Sequence, residues 1–231
     1  MATNPAPGAG RRRRPPRQKP GVKKEQILRV AIDYFGRDGY EETKWADVAA
    51  AVEIGSTALY HYFVSKQHCL FEIMAQTIAD YRARFDRIVA EHDDWTEALI
   101  ALLVDSFEID EEQVLRQRII VAEFGRIATP RSLPREEAAR SSARSLTRDL
   151  EFAWGTFLVR GMQQGLIPEN DPRMLTRAIL GLYNSVWHWY RPGGTLNLLE
   201  VGKFFVSRQL AILGCRTDLA DAKFAELQRV A

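Results

Sequence analysis

The sequence predicts an all-α protein of about nine helices, divided into a small N-terminal head and a larger helical body. Three observations predict it. Apolar residues recur every three or four positions through most of the chain. No stretch sustains the alternation of a half-buried strand. Glycine, proline and short polar capping residues fall where the periodic segments break. A chain of 231 residues with 46% apolar content can bury one large helical core, or one such core with a satellite.

Residues 1 to 21 are rich in Pro, Gly and Ala and read as a disordered basic arm. The first helix, Lys23 to Arg37, places Ile27, Leu28, Ala31, Tyr34 and Phe35 on one stripe, with Gly39 positioned to end it. Thr43 suits the N-cap of a second helix, Lys44 to Val52, and a third runs from Ser56 to Tyr62. Ser65 then caps a long amphipathic helix carrying Leu70, Met74, Ile78, Tyr81, Phe85 and Ile88. Beyond an acidic break at Glu91 to Asp94, helical patterns cover Trp95 to Ile109, Glu111 to Ala128 and Pro134 to Gly165. They continue over Pro172 to Tyr190 and Leu196 to Leu213. Pro134 fits a first helical turn and Gly165 a C-terminal cap. The division is therefore an arm at 1–21, a head at 22–72, a body at 73–215 and a C-terminal tail at 216–231.

The formal net charge of +2 hides an asymmetry. All 30 acidic residues follow Lys24, whereas eight of the 32 basic residues lie at or before it, leaving a remainder of net charge −6. Such an arm either seeks a polyanion or serves as a solvated tail. The longest apolar run, Ala98 to Val104, is far too short to span a bilayer, and no apolar stretch follows the basic N-terminus closely enough for an export signal. The expectation is a cytoplasmic protein with no membrane partner. Cys69 and Cys215 lack a Cys-x-x-Cys spacing and read as free thiols. There is no Gly-rich phosphate loop, no Gly-x-Ser-x-Gly elbow and no His-Glu-x-x-His helix. His61, His68 and Cys69 lie close together but match no common zinc ligand set. No catalytic residue, metal or cofactor is expected.

Three short helices, the last two separated by about three residues, have the plan of a helix-turn-helix. Ala49, Val52, Leu59 and Phe63 supply its clamp, which leaves Ser56, Thr57, Ala58, Tyr60 and His61 on the outer surface of the third helix. Small and hydrogen-bonding side chains there can meet base edges in a major groove. Thr43, Tyr60, His61 and Lys66 stand where phosphate contacts are expected, and Lys44 is a further DNA-binding candidate. From Lys23 to His68 the head carries six basic and seven acidic residues, so phosphate attraction falls to Arg11, Arg12, Arg13, Arg14 and Arg17 of the arm.

Thr43-Lys44-Trp45-Ala46-Asp47-Val48-Ala49, followed by Ile54-Gly55-Ser56-Thr57-Ala58-Leu59-Tyr60-His61-Tyr62-Phe63-Val64-Ser65-Lys66, closely resembles the DNA-binding signature of TetR-family regulators. The resemblance is strong over residues 22–72. It implies an all-helical homodimer, usually a repressor, released from a palindromic operator by a small molecule. Two positions depart from the family pattern. Glu53 occupies a turn position where the family often has Gly, and a positive φ there costs on the order of 1 kcal/mol. Gly55 stands where the recognition helix often has a Ser cap.

In the body, Leu175, Ile179, Leu182, Val186 and Tyr190 form one stripe of the penultimate helix, and the small residues Ala178, Gly181 and Ser185 form a second. Val201, Phe204, Phe205, Val206, Leu210 and Leu213 surround much of the last helix. Two apolar faces per helix fit a four-helix dimer bundle, with Ala178, Gly181, Ser185, Phe205 and Leu210 at the interface; a single large core is the other reading. Phe107, Ile120, Phe124, Trp154, Phe157, Met162, Tyr183 and Trp187 are candidates for the wall of an effector pocket, or ordinary core. Asp171-Pro172-Arg173 and Trp187-His188-Trp189-Tyr190-Arg191-Pro192-Gly193-Gly194 resemble a C-terminal type found in regulators of this family that respond to fatty or steroid acyl-CoA compounds. Arg116, Arg118, Arg126 and Arg160 are candidates for a phosphate or carboxylate, or for surface ion pairs. The rival reading is a helical small-molecule-binding or interaction protein that ignores DNA. It predicts no salt-dependent DNA affinity.

Overall fold

The computed structural model describes residues 20–230; Arg11, Arg12, Arg13, Arg14 and Arg17 lie outside the described residues. Among the described residues there are ten α-helices and no strand. The head consists of α1 (Pro20–Arg37), α2 (Trp45–Ala51) and α3 (Ser56–Tyr62). Gly39, at φ 104°, ends the turn after α1. Next comes α4 (Lys66–Glu91), with Ser65 accepting a 2.9 Å hydrogen bond from the His68 amide as its N-cap.

At 26 residues, α4 extends for about 39 Å and belongs to both halves of the molecule. Its first turns place Cys69, Leu70, Phe71, Ile73 and Met74 in a core with Ile27, Ile32, Val48, Leu59 and Phe63, while Phe85 and Ile88 lie in a second core. The head core is not self-sufficient. Leu115, Ile119, Ile127 and Ala143 come from the body to complete it.

The body continues with α5 (Trp95–Asp105), α6 (Glu111–Glu123), α7 (Pro134–Gln163), α8 (Pro172–Trp189), α9 (Leu198–Ile212) and α10 (Asp221–Val230). Asp94, Asp171 and Asn197 cap their helices with side-chain oxygens, and Asp110 forms a reciprocal capping box with Gln113. Several boundaries differ from the sequence expectation, and α1 already begins at Pro20, inside the stretch read as the arm. α5 stops at Asp105, and the end of the next segment tightens into a 3-10 turn over Phe124–Ala128. Within the stretch read as a tail, α10 forms and buries Phe224 against the body core. A helix of 10 residues is marginal alone, so this one depends on its packing. Cys69 and Cys215 are free thiols. No helix is long and apolar enough to cross a membrane, among the described residues.

Candidate nucleic-acid interface and effector cavity

Leu59 is the fully buried residue of α3, and with Phe63 it is clamped between α1, α2 and α4. Burying one leucine side chain contributes about 1.5–3 kcal/mol, enough to fix which face of so short a helix looks outward. Ser56, Thr57, Tyr60 and His61 are consequently exposed, and Ala58 is half-buried beside them. Gly55 precedes α3 in an extended conformation without a side-chain cap. In the preceding turn Glu53 takes φ 56°, the left-handed conformation for which the resembling family often has Gly. Lys44 is exposed at the start of α2.

Two expected phosphate ligands are otherwise engaged. Thr43 is only 4% exposed and its hydroxyl donates to the Gly39 carbonyl at 2.8 Å, so it neither caps α2 nor faces outward. The Lys66 ammonium donates to the carbonyls of Tyr40 (2.6 Å) and Thr43 (3.0 Å) and lies 4.2 Å from the centre of the Tyr40 ring. With its protons taken up by the α1–α2 turn, Lys66 fastens that turn to the start of α4; burial lowers its pKa.

The body contributes a cation that sequence spacing could not reveal. Arg135, in the first turns of α7, donates to the Tyr62 carbonyl at 2.9 Å and shares a cleft with Lys24 and His61. Nearby, Glu136 accepts from the Ser65 hydroxyl at 2.6 Å, while Glu72 pairs with Lys24 (2.6 Å) and His68 (3.2 Å). Burial holds the His68 imidazole below its usual pKa range, against the opposing pull of Glu72. On the other flank Arg118 bridges two elements, donating 2.8 Å bonds to Gly36 of α1 and Tyr190 at the end of α8.

A cavity of about 230 Å³ lies between α4, α6, α7 and α8. Ile120, Phe124 and Tyr183 line it, as anticipated, together with Thr77, Ile78, Tyr81, Gln117 and Leu180. Phe107, Trp154, Phe157 and Trp187 do not; they are buried in the body core, and Met162 packs against that core. The aromatic rings fill one another's space, with Trp95 stacked on Phe157 at 5.1 Å and Tyr183 meeting Trp187 edge-on at 5.4 Å. Gln117, which sequence reading missed, is only 7% exposed and brings a polar amide to the cavity wall. None of the four candidate arginines lines this cavity. Arg116 pairs with Glu112 at 2.8 Å, Arg118 forms the bridge above, Arg126 pairs with Glu41 and Glu123, and Arg160 lies over the Phe157 ring.

The outer face of α8 and α9 is apolar and uncovered. Ala178 and Gly181 are exposed and Ser185 is half-buried, flanked by exposed Met174 and Trp189. From α9, Phe204 (55% exposed) and Ile212 join them, with half-buried Phe205 set 6.1 Å from Trp189. Leu210 does not belong to this face. It is 0% exposed, on the inward side of α9, and packs in its own subunit's core.

Against known proteins, residues 27–73 match the family model for bacterial regulatory proteins of the tetR family, and residues 92–213 match the tetracyclin repressor-like C-terminal domain. The HTH-type transcriptional repressor KstR2 of Mycolicibacterium smegmatis is 25% identical over 193 residues, covering 82% of this chain and 89% of the relative. The structure of the ketosteroid transcriptional regulator KstR2 of Mycobacterium tuberculosis superposes with a TM-score of 0.68 at 28% identity, covering 83% of this chain and 93% of that one. AibR, solved in complex with isovaleryl coenzyme A and operator DNA, shares the fold at a TM-score of 0.66 and 21% identity, covering 80% and 97%.

Proposed function

The chain belongs to the TetR family of bacterial regulatory proteins, and from that membership we propose that it is a ligand-released transcriptional repressor that binds palindromic operator DNA as a homodimer. The observation carrying this reading is the outer face of α3. Ser56, Thr57, Tyr60 and His61 have no packing reason to be grouped there, while Leu59, with Tyr62 and Phe63, ties the helix to the clamp. Ser56 and Thr57 face base edges, Ala58 a thymine methyl, and Lys44, Tyr60 and His61 the flanking phosphates. Arg135 and Lys24 line a cleft with His61 beside the same helix.

A dimer sets two such heads against successive half-sites about one helical turn apart. The uncovered apolar face of α8 and α9 supports that assembly through Ala178, Gly181, Ser185, Trp189 and Phe204. The effector occupies the cavity between α4, α6, α7 and α8, and it is apolar or acyl-CoA-like; the names of KstR2 and of the AibR complex support that class. Arg118 and the α6 packing on α1 give a shift of α6 a direct route to the head. Arg11, Arg12, Arg13 and Arg14 supply the phosphate attraction that the head's own charge balance lacks, so deleting residues 1–20 flattens the salt dependence of binding.

Selection of bound fragments from random DNA tests the reading, with Thr57→Asp as its control. The expected result is a palindromic consensus for the parent protein and no enrichment for the variant, whose new carboxylate enters the groove. Equal enrichment by the two proteins, or none by the parent, removes the proposal.

A further inference from the structure

α3 has 7 residues, fewer than a helix needs to hold its shape alone, and only Phe63, Val64 and Ser65 join it to α4. Phe63 is extended at φ −130° and Ser65 at φ −158°, so the helical ladder is interrupted between the two elements. Leu59 and Phe63 determine which face of α3 is buried, yet anchors placed toward one end leave a short helix free to tilt about them. From Tyr62 to Ser56 the helix rises about 9 Å, and a tilt of about 10° moves its Ser56 end by about 1.5 Å. Hydrogen bonds to base edges tolerate a spread of about 0.5 Å, so a tilt of that size breaks them.

Both ends of the α3–α4 link are held by adjacent residues of one body helix. Arg135, in the first turn of α7, donates to the Tyr62 carbonyl, the last of α3, at 2.9 Å. A cation there also meets the negative end of the helix dipole. Glu136 accepts from the Ser65 hydroxyl at 2.6 Å, and the same Ser65 oxygen accepts the His68 amide that caps α4. Glu136 is only 6% exposed. Burying a carboxylate is unfavourable unless it is hydrogen-bonded, and this one is stabilised by that hydroxyl and by Arg131, 3.9 Å away. α7 is 30 residues long and packs along α4, which makes the grip stiff. Lys24 and Arg135 line the cleft beside His61, but Lys24 ends on Glu72 at 2.6 Å and Arg135 on the Tyr62 carbonyl, so both have donors taken up by protein.

We propose that Arg135 and Glu136 are positioning residues for operator binding: by holding the Tyr62 carbonyl and the Ser65 hydroxyl from one helix of the body, they set the tilt at which α3 presents Ser56 and Thr57. The inference rests on the reading of α3 as the operator-binding helix. The head is then not an independent reading unit, because the direction of its recognition helix is a property of α7.

The test uses the full chain, its selected operator and an unrelated duplex of the same length, with binding measured over a range of salt. Arg135→Ala and Glu136→Ala are each expected to weaken operator binding about ten-fold, the loss of one well-formed base contact, while affinity for the unrelated duplex is unchanged. The slope of log K against log salt stays that of the parent, because no phosphate contact is removed. Arg135→Lys keeps a donor for the Tyr62 carbonyl and Glu136→Gln an acceptor for the Ser65 hydroxyl, and both are expected to recover most of the parent's affinity. Melting curves confirm that each variant is folded at the assay temperature. Unchanged operator affinity in both alanine variants overturns the proposal. So does an equal loss on the two duplexes with a slope reduced by about one, which makes Arg135 an ordinary phosphate ligand. A parent protein that prefers no duplex removes the operator reading itself, whereas a preference that survives in the alanine variants removes only the positioning role.

Discussion

Gly36 offers a direct test of the joint between head and body. It lies near the end of α1, and a Cβ added there would stand 2.6 Å from Leu115 Cβ and 3.1 Å from Leu115 Cα on α6. Because backbone as well as side chain is in the way, no rotamer change relieves the clash, and the helices must separate by about 1 Å to reach ordinary van der Waals contact. Two effects oppose each other in Gly36→Ala. Helix propensity favours alanine by at most about 1 kcal/mol, whereas overpacking a tight contact costs about 1–3 kcal/mol and here also strains the Arg118 bond to the Gly36 carbonyl. The clash wins, and a net loss of about 1–2 kcal/mol lowers the melting midpoint by about 2–8 °C for a chain of this size. Leu115→Ala alone costs about 2–5 kcal/mol through the space it empties. Alanine at 115 keeps the Cβ and Cα that the new methyl meets and removes only the Cδ2 contact at 2.9 Å, so the pair retains most of the clash and the two losses are close to additive. Urea unfolding of the four proteins at one protomer concentration measures this, and operator affinity should fall in Gly36→Ala and stay low in the pair. A pair as stable as Leu115→Ala alone, or a Gly36→Ala protein as stable as its parent, refutes the steric argument.

Other outcomes follow from single features. Glu53 holds φ 56°, so Glu53→Gly is expected to gain up to about 1 kcal/mol in chemical unfolding, while Glu53→Ala, which keeps the strain, gains none; equal effects refute a backbone origin. Phe204→Glu places a charge in the α8–α9 face without touching the subunit core, and sedimentation should show monomers with a folded circular dichroism spectrum; a persisting dimer places the interface elsewhere. Glu137, hydrogen-bonded by Arg140 and by the Arg131 amide, has its pKa lowered from 4.5 to about 2. Because the folded value lies below the unfolded one, its contribution is complete above the ordinary carboxylate range and is lost as pH falls toward 2. Melting midpoints of Glu137→Gln measured from pH 5 to pH 2 should therefore fall less steeply than those of the parent, and parallel curves refute the assignment.

Features that depend on residues within a turn or two of one another were legible in the chain. Ser65 and Pro134 marked helix starts and Gly39 and Gly165 marked ends, whereas a left-handed turn at Glu53 was suggested only by the family resemblance, which often has Gly there. The exposed face of α3 was equally local, because burying Leu59 determines where Ser56, Thr57 and Tyr60 look. What the chain did not disclose depends on segments far apart in sequence. Thr43 and Lys66 look like phosphate ligands until the carbonyls of the α1–α2 turn come within reach of their donors. Arg135 reaches the recognition helix from 73 residues away, and Leu210 turns inward because only one side of α9 meets the body. The cavity between α4, α6, α7 and α8 is the clearest instance. Periodicity identifies which residues are apolar, but whether four helices close completely on their aromatic rings or leave a gap walled by Thr77 and Gln117 is set by the distances between helices, and only packing in three dimensions fixes those.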